Sequence, residues 1–570
     1  MNYKIVSLTN KIWNIRSEID ESSDIVEILA KNRGIEDLQA FARVSLRNSM
    51  PDPFIFVDME RAANRIIEAI KNKQKIAVLG DYDVDGVSSV AILLKFFERV
   101  GADCAYSIPN RMDEGYGLSV ANIEKYKDCL IIAVDCGANA IDELKFAKDN
   151  GIDAIVLDHH KMSEIPAAFA LVNPHRPDET GDYKYLCAAG VVFLCVVAIN
   201  SLLKEINFYA GKEEPDLASY LDLVALATVC DVVDLVGLNR AFVSTGLKII
   251  KRRQNLGMDA LLSTLKNCSD VNAETIAFFL GPKLNAAGRM ESADLSLKLL
   301  TTKNPIEARK IALRLDDLNK ERQALESEMM EKAASFAEED QNFVCACDAD
   351  WHIGIIGIIA GRLKDKYGKP SIVISRDANG IGKASCRSIE GVDISGIVKR
   401  GVEQGVILSG GGHALAAGFS VDMSKIGDLL EFLASDIKYE SRLPELTADC
   451  ALPLNRISVA LIESIAVLEP FGAGNKRPKF VIPNVRITSA KVVGENHVSF
   501  SLTDENGNSI RGISFRSLNT PLGDVLLNEI NFINALGTAT ISTWNGRKSV
   551  NFLLEDAAAR GENIAAFSSS

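Results

Sequence analysis

Three aspartates at alternate positions, Asp81, Asp83 and Asp85 of the stretch DYDVDG, are the first residues able to do chemistry. An extended backbone would project alternate side chains to one side, so the three anions would crowd and repel. Divalent cations placed among them relieve that repulsion, although an Asp-rich loop ending in Gly86 also makes turns and helix caps. Similar groups recur downstream: Asp135 in VDCG, Asp158-His159-His160 in LDHH, and Asp231 in CDVVDL. A lone member reads as a helix cap; four clusters, each closing an apolar run at the end of a successive strand, read as a metal centre. Carboxylates with imidazole suit Mn²⁺, Mg²⁺ or Zn²⁺, and the excess of oxygen leans towards Mn²⁺ or Mg²⁺. The candidate ligands exceed what one ion needs. Two ions about 3.5–4 Å apart would let one activate water while both clamp a phosphoryl group for in-line attack. That chemistry is phosphoester or phosphoanhydride hydrolysis.

Those residues must be held by elements the sequence also announces. KIAVLG from Lys75 is a short apolar run, DYDVDG breaks it, and VSSVAILLKFFERVGA follows with helical periodicity closed by Gly101. The unit recurs: CLIIAV meets DCGAN and the helical AIDELKFAKDNG, and DAIVL meets DHH. Strands alternating with helices imply a parallel, doubly wound α/β sheet whose ligands collect beyond the carboxyl ends of the strands. From Thr301 to Glu339 a charged stretch keeps a helical stripe of Ile311, Leu315, Leu318, Leu325 and Met329, which predicts a long connecting helix. Phe343 to Ser435 forms a second α/β segment. Beyond Leu443, short alternating runs with turn signals at Asn506-Gly507 and Asn545-Gly546 predict a small β-barrel or sandwich. The expected boundaries are 1–50 for an N-terminal segment, 51–300 for the metal-bearing domain, and 301–340 for the connecting helix. The second α/β domain takes 341–440, the barrel 441–562 and a frayed tail 563–570.

The chain has 570 residues, 47% hydrophobic and 24% charged, with a net charge of -13. Such usage is ordinary for a globular protein of several domains and excludes a broadly basic coat, leaving room for a local basic groove. Its 11 cysteines show no CxxC spacing, and the N-terminus lacks the apolar core of a signal peptide, so a reduced, cytoplasmic protein is expected. YLCAAGVVFLCVVAINSLL approaches the length of a membrane span, but its Asn200 and Ser201, and its position between two motifs, read as a buried core helix; no membrane is expected.

DYDVDG, VDCG, LDHH and CDVVDL, in this order, resemble the DHH phosphoesterase superfamily. The second segment resembles its DHHA1 partner domain in WHIGIIGIIAGRL, KASCRSIEG and GGGHALAAG. With PNRMDEGYGL and GPKLNAAGRM the likeness narrows to the RecJ family of exonucleases, and LEPFGAGNKRPKFVIPNVRI introduces a region similar to its OB-fold domain. The resemblance spans about residues 45 to 560. It implies metal-dependent removal of nucleotides from the 5′ end of single-stranded DNA, in recombination and repair. Two divalent ions, Mn²⁺ or Mg²⁺, are implied: Asp83, Asp135 and Asp81 at one, and Asp85, Asp135, His159 and Asp231 at the other. Catalysis is assigned to His160, Asp85 and Asp135, with His160 against the scissile phosphate. Arg111, Asn285, Arg289, His352, Ser385, Arg387, Gly410, Gly411, Gly412 and His413 are implied to bind the strand. Bare glycine backbone can approach an anion and the Arg387 fork can take a phosphate, while a tight turn explains the glycines equally well. Lys476, Arg477 and Lys479, with Phe471 and Phe480 as stacking rings, are the candidate OB contacts; a solvated basic rim is the alternative. Single-strand-binding protein and a helicase are implied partners.

Some positions depart from the family pattern: Lys283 stands where an arginine is usual, Cys386 in ASCRS, and Lys476 where a proline is common. They bear on strand affinity and end preference. The sequence runs out soon after the barrel, so the further interaction domain of some relatives is not expected. Two other functions remain open at this point. A DHH hydrolase of short oligoribonucleotides or cyclic dinucleotides would lack the barrel, and a single-strand-binding scaffold would have lost metal ligands. A basic channel between the two α/β domains, admitting one strand, is expected of the exonuclease.

Overall fold

Five fully parallel strands lie in the order Cys104–Ser107, Ile76–Gly80, Leu130–Val134, Ala154–Leu157, Ala170–Val172. Ile76–Gly80 and the next two in that order are buried at every residue, as continuous apolar runs covered by helices must be. The chain order reverses between Ile76–Gly80 and Leu130–Val134, and such a switch point opens a crevice beyond the strand ends. Asp81 and Asp135 are the residues that immediately follow those two strands. The helix Val84–Val100 starts at the crevice, capped by Asp83 and stopped by Gly101 in the left-handed conformation. This computed structural model describes residues 4–560 apart from 21, 111–116, 266–269, 338–340, 440–442, 529–531 and 545.

Ala188–Glu205 is, among the described residues, the one helix long and apolar enough to cross a membrane. Within its window 72% is buried in the protein, against the sheet side and the helices Val84–Val100 and Met59–Asn72. Pro305–Ala334 is a single helix of 30 residues, started by Asn304, whose side chain accepts from the amides of Ile306 and Glu307. It packs on Gly281–Met290 at one end and on Ile353–Tyr367 at the other. Glu326, 1% exposed, is clamped there by Arg322 at 2.6 Å and by Arg362 of the second helix. The second sheet is mixed, ordered Ser409–His413, Ala416–Asp422, Ile381–Arg387, Ser371–Arg376, Val344–Asp348. Ser45–Glu440 forms one compact unit holding both sheets.

The other unit joins Met1–Val44 to Ser441–Ser570. The N-terminal segment expected over 1–50 is therefore divided: its residues to Val44 belong with the β-rich region and those from Ser45 with the two α/β sheets. Ile12–Ser17 pairs in parallel with Glu445–Ala451, and Trp13, fully buried, donates its indole N–H to Asp556 at 2.8 Å. Phe480–Val493, His497–Thr503, Ser509–Ser514, Arg547–Ala559 and Ile533–Trp544 pair in sequence, and the last pairs back to the first. Five strands closed on themselves make the barrel of an OB-fold.

Candidate metal centre

The acidic loop does not run extended. Asp83 caps the Val84–Val100 helix, its carboxylate accepting from the amides of Asp85 at 2.9 Å and Gly86 at 3.2 Å. Asp85 sits in the first helical turn, so the three carboxylates converge by a strand end, a cap and a helical turn in place of alternation along a strand. A Cβ at Gly86 would fall 2.5 Å from the Asp81 carbonyl oxygen, so only glycine lets the turn close this tightly. Asp231 likewise departs from expectation: it caps the C-terminus of the helix Leu221–Cys230 and ends no strand.

Asp85 is 1% exposed and accepts from the amides of Ala188 at 2.7 Å and Ala189 at 2.8 Å, where the next core helix begins. Burial nevertheless raises its pKa, helped by Asp83 and opposed by His159. Asp135 holds a left-handed backbone at φ 58°, costly for a non-glycine residue, and its carboxyl is pushed well up by burial and by Asp85, Asp83 and Asp81. Burial, then Asp85 and Asp83, raise Asp231 to about 8. His159 Nε2 stands among them, 3.3 Å from Asp135, 3.7 Å from Asp85 and 3.7 Å from Asp231. One candidate ligand triad is Asp81, Asp83 and Asp135; another is Asp85, His159 and Asp231, each with ligand atoms within 4.8 Å of one another. The close Asp135–His159 contact joins the two.

So many buried carboxylates are unfavourable together unless positive charge arrives, and the oxygen-rich set fits hard divalent cations. When bound, such ions lower the pKa of a coordinated water and neutralise the charge on a phosphoryl group. His160 differs from its neighbour. Its Nδ1 lies 2.8 Å from Asp158, and although burial opposes protonation, that bond and the surrounding carboxylates raise the ring to about 9. Burial pushes the Asp158 carboxyl up, but the His160 bond, the charges of both imidazoles and the Ala138 amide together outweigh it and hold Asp158 at about 2. It also accepts from the amides of His159, His160 and Ala138, which fixes the whole DHH turn. Sequence reasoning left Asp158 without a role; its adjacency to two imidazoles was the available signal.

Asn285 accepts from the Val84 amide at 3.2 Å, and Arg289 donates to the Gly354 carbonyl at 3.0 Å. These contacts join the helix Gly281–Met290 to the acidic loop and to the second sheet's domain. His352 caps the helix Ile353–Tyr367 through its Nδ1. Arg387 donates to Ser385 at 3.3 Å and to the Cys386 carbonyl at 2.8 Å. Gly410, Gly411, Gly412 and His413 form an exposed edge strand. Burial lowers the His413 pKa, and the positive charges of Arg387, Lys161 and His160 lower it further, so this strand lies within electrostatic reach of the DHH turn. Arg111 lies outside the described residues. Lys283 is buried against Asp316 at 2.6 Å and Thr264 at 2.6 Å. Phe471 and Phe480, expected as stacking rings, are instead 5% and 1% exposed in the barrel core, as apolar rings on inward-facing positions must be. Lys479 pairs with Glu555 at 2.5 Å, and Arg477 lies over Phe471.

A parallel sheet with a carboxylate and histidine cluster at its switch point, joined to a glycine-rich second domain, defines a DHH-type phosphoesterase. Residues 75–228 match the DHH family N-terminal domain, 340–438 the DHHA1 domain and 448–556 the RecJ OB domain. The single-stranded-DNA-specific exonuclease RecJ of Bacillus subtilis is 32% identical over 96% of this chain and 70% of its own length. That of Haemophilus influenzae is 31% identical over 93% of this chain and 95% of its own. The crystal structure of Thermus thermophilus RecJ with Mn²⁺ superposes with a TM-score of 0.78 at 26% identity, covering 93% of this chain and 75% of that one. The chain belongs to the RecJ family.

Proposed function

We propose that this protein hydrolyses single-stranded DNA from its 5′ end, releasing mononucleotides, with two Mn²⁺ or Mg²⁺ ions. The observation that carries the reading is the convergence of Asp81, Asp83, Asp85, Asp135, His159 and Asp231 within one crevice, with every ligand type intact. Loss of ligands is what a non-catalytic scaffold would show, and a barrel domain is what the small oligonucleotide hydrolases would lack.

Asp81, Asp83 and Asp135 would hold one ion, and Asp85, Asp135, His159 and Asp231 the other. His160 keeps Nδ1 on Asp158 and turns Nε2 towards the scissile phosphate. Water adds to phosphorus as the phosphorus–oxygen bond to the leaving alcohol breaks, and the alcohol takes up a proton. Asn285, Arg289, His352, Ser385, Arg387, Gly410, Gly411, Gly412 and His413 line the approach of the strand, with Arg111 added from sequence. Recombination and repair, a cytoplasmic location, and work beside single-strand-binding protein and a helicase belong to the same reading.

The test is hydrolysis of end-labelled single-stranded DNA, duplex DNA and short RNA with Mn²⁺ or EDTA. Mononucleotides from single strands only, lost in EDTA and reduced about 10²–10⁴-fold in His160→Ala, are expected. Cleavage of short RNA alone would move the protein to the oligonucleotide hydrolases.

A further inference from the structure

Large apolar side chains in the open need a reason, and two adjacent ones stand close to the acidic crevice. Phe278 is 71% exposed and Phe279 is 53% exposed. Both lie on Ile276–Leu280, a single π-helical turn feeding directly into the helix Gly281–Met290. Turns of this kind recur at functional sites because the extra residue turns side chains out of ordinary register. Ile276 and Leu280 are fully buried, so the turn is anchored by its ends and offers its middle to solvent.

Its position is fixed by close contacts. Gly281 packs so tightly on Cys230 that a Cβ there would meet the thiol sulfur at 2.6 Å, and Cys230 is the neighbour of Asp231. One turn further along, Asn285 touches the backbone of Val84 within the acidic loop. The π turn itself packs against the helix Leu221–Cys230, whose C-terminal end delivers Asp231. Val232, the residue after Asp231, is a further exposed apolar group next to a candidate metal ligand. It is 71% exposed in a left-handed conformation at φ 59°, an outlier for a β-branched side chain.

We propose that Phe278 and Phe279 form a stacking platform for nucleobases of the strand being degraded, with Val232 at its edge. The inference rests on the exonuclease reading above and deepens it by assigning where bases, as opposed to phosphates, are gripped. Carboxylates and their cations act on the backbone alone, whereas an aromatic face accepts any base and so gives affinity without sequence preference. A nucleic acid with its bases splayed from the backbone satisfies the apolar rim and the charged floor together. Single strands do this and a stacked duplex does not, so the platform contributes to strand selection.

The experiment uses the full chain and fluorescently labelled 12-nucleotide strands, one carrying bases and one with abasic sites throughout, bound by titration with Ca²⁺ in place of Mn²⁺. Phe278→Ala/Phe279→Ala is expected to weaken binding of the base-bearing strand by roughly tenfold or more, and to leave the abasic strand bound as by the wild type. Phe278→Tyr/Phe279→Tyr is expected to restore affinity and Phe278→Leu/Phe279→Leu not to, since stacking needs a ring. Equal binding of the base-bearing strand by wild type and the alanine variant would overturn the platform, as would an equal loss for both strands. If the wild type cleaves no single-stranded DNA, the exonuclease reading fails by itself; if it cleaves and the alanine variant matches it in affinity, only the platform fails.

Discussion

At the scale of single residues, this centre is built against its own stability. Asp135 is buried with like charges around it, and its raised pKa means that the ionised form is disfavoured in the folded state. A carboxyl with a raised folded pKa destabilises the protein once pH exceeds the unfolded value of about 3.9. Asp135→Asn should therefore raise the melting temperature of the metal-free protein while removing its response to Mn²⁺. In the wild type, Mn²⁺ at a hundredfold excess over Kd should raise the melting temperature by roughly 3–5 °C, reversed by EDTA. Scanning calorimetry of both proteins checks this; an equal Mn²⁺ response in the two would place the ligands elsewhere. The residue types were legible in the sequence because carboxylates and imidazoles at the ends of apolar runs have few other uses. The pairing of His160 with Asp158 was not, since the DHH turn brings Nδ1 back onto a neighbour two positions away.

At the scale of elements, the strand-then-loop rhythm correctly announced the parallel sheet and the long helix, now Pro305–Ala334. It misplaced the geometry of DYDVDG and of Asp231, because a helix cap and a strand end look alike in a short polar break. What holds the two α/β domains is contact that no local pattern carries. A Cβ at Gly354 would lie 2.3 Å from the Arg289 carbonyl oxygen, whereas at Gly361 on the same helix the nearest atom is Arg387 Cγ at 4.0 Å. Gly354→Ala should cost about 1–3 kcal/mol and lower kcat/KM by roughly tenfold, while Gly361→Ala should be neutral or slightly stabilising. Urea unfolding of both variants decides it, and similar outcomes would show that the helices slide apart freely. Glu326→Ala should cost about 3 kcal/mol in the same assay, because Arg322 and Arg362 lose a buried partner; a cost below about 1 kcal/mol would show that the arginines find water instead.

Across the whole molecule, residues far apart in the chain share one sheet. Ile12–Ser17 runs beside Glu445–Ala451, and the Trp13–Asp556 bond spans almost the full sequence. Trp13→Ala should cost about 3–5 kcal/mol and appear as faster hydrogen exchange in Glu445–Ala451 and Phe480–Val493, with the strands Ile76–Gly80 and Leu130–Val134 unaffected. Exchange accelerated in all four strands alike would show that the chain unfolds as one cooperative body. The net charge of -13 is likewise a property of the whole that says little about the local charge around the DHH turn, where Lys161 directly follows His160.

The sequence alone determined the chemistry and the elements: ligand types, their order, the alternation of strand and helix, and the closing barrel. These are written in local composition and period, which a linear string preserves. Only the tertiary structure decided that the first strands complete the last domain, that Asp231 arrives from a helix end, and that Phe471 and Phe480 turn inward while Phe278 and Phe279 turn out. Burial and long-range pairing depend on which surfaces meet. That is settled by packing among residues hundreds of positions apart, where neither spacing nor residue type is informative.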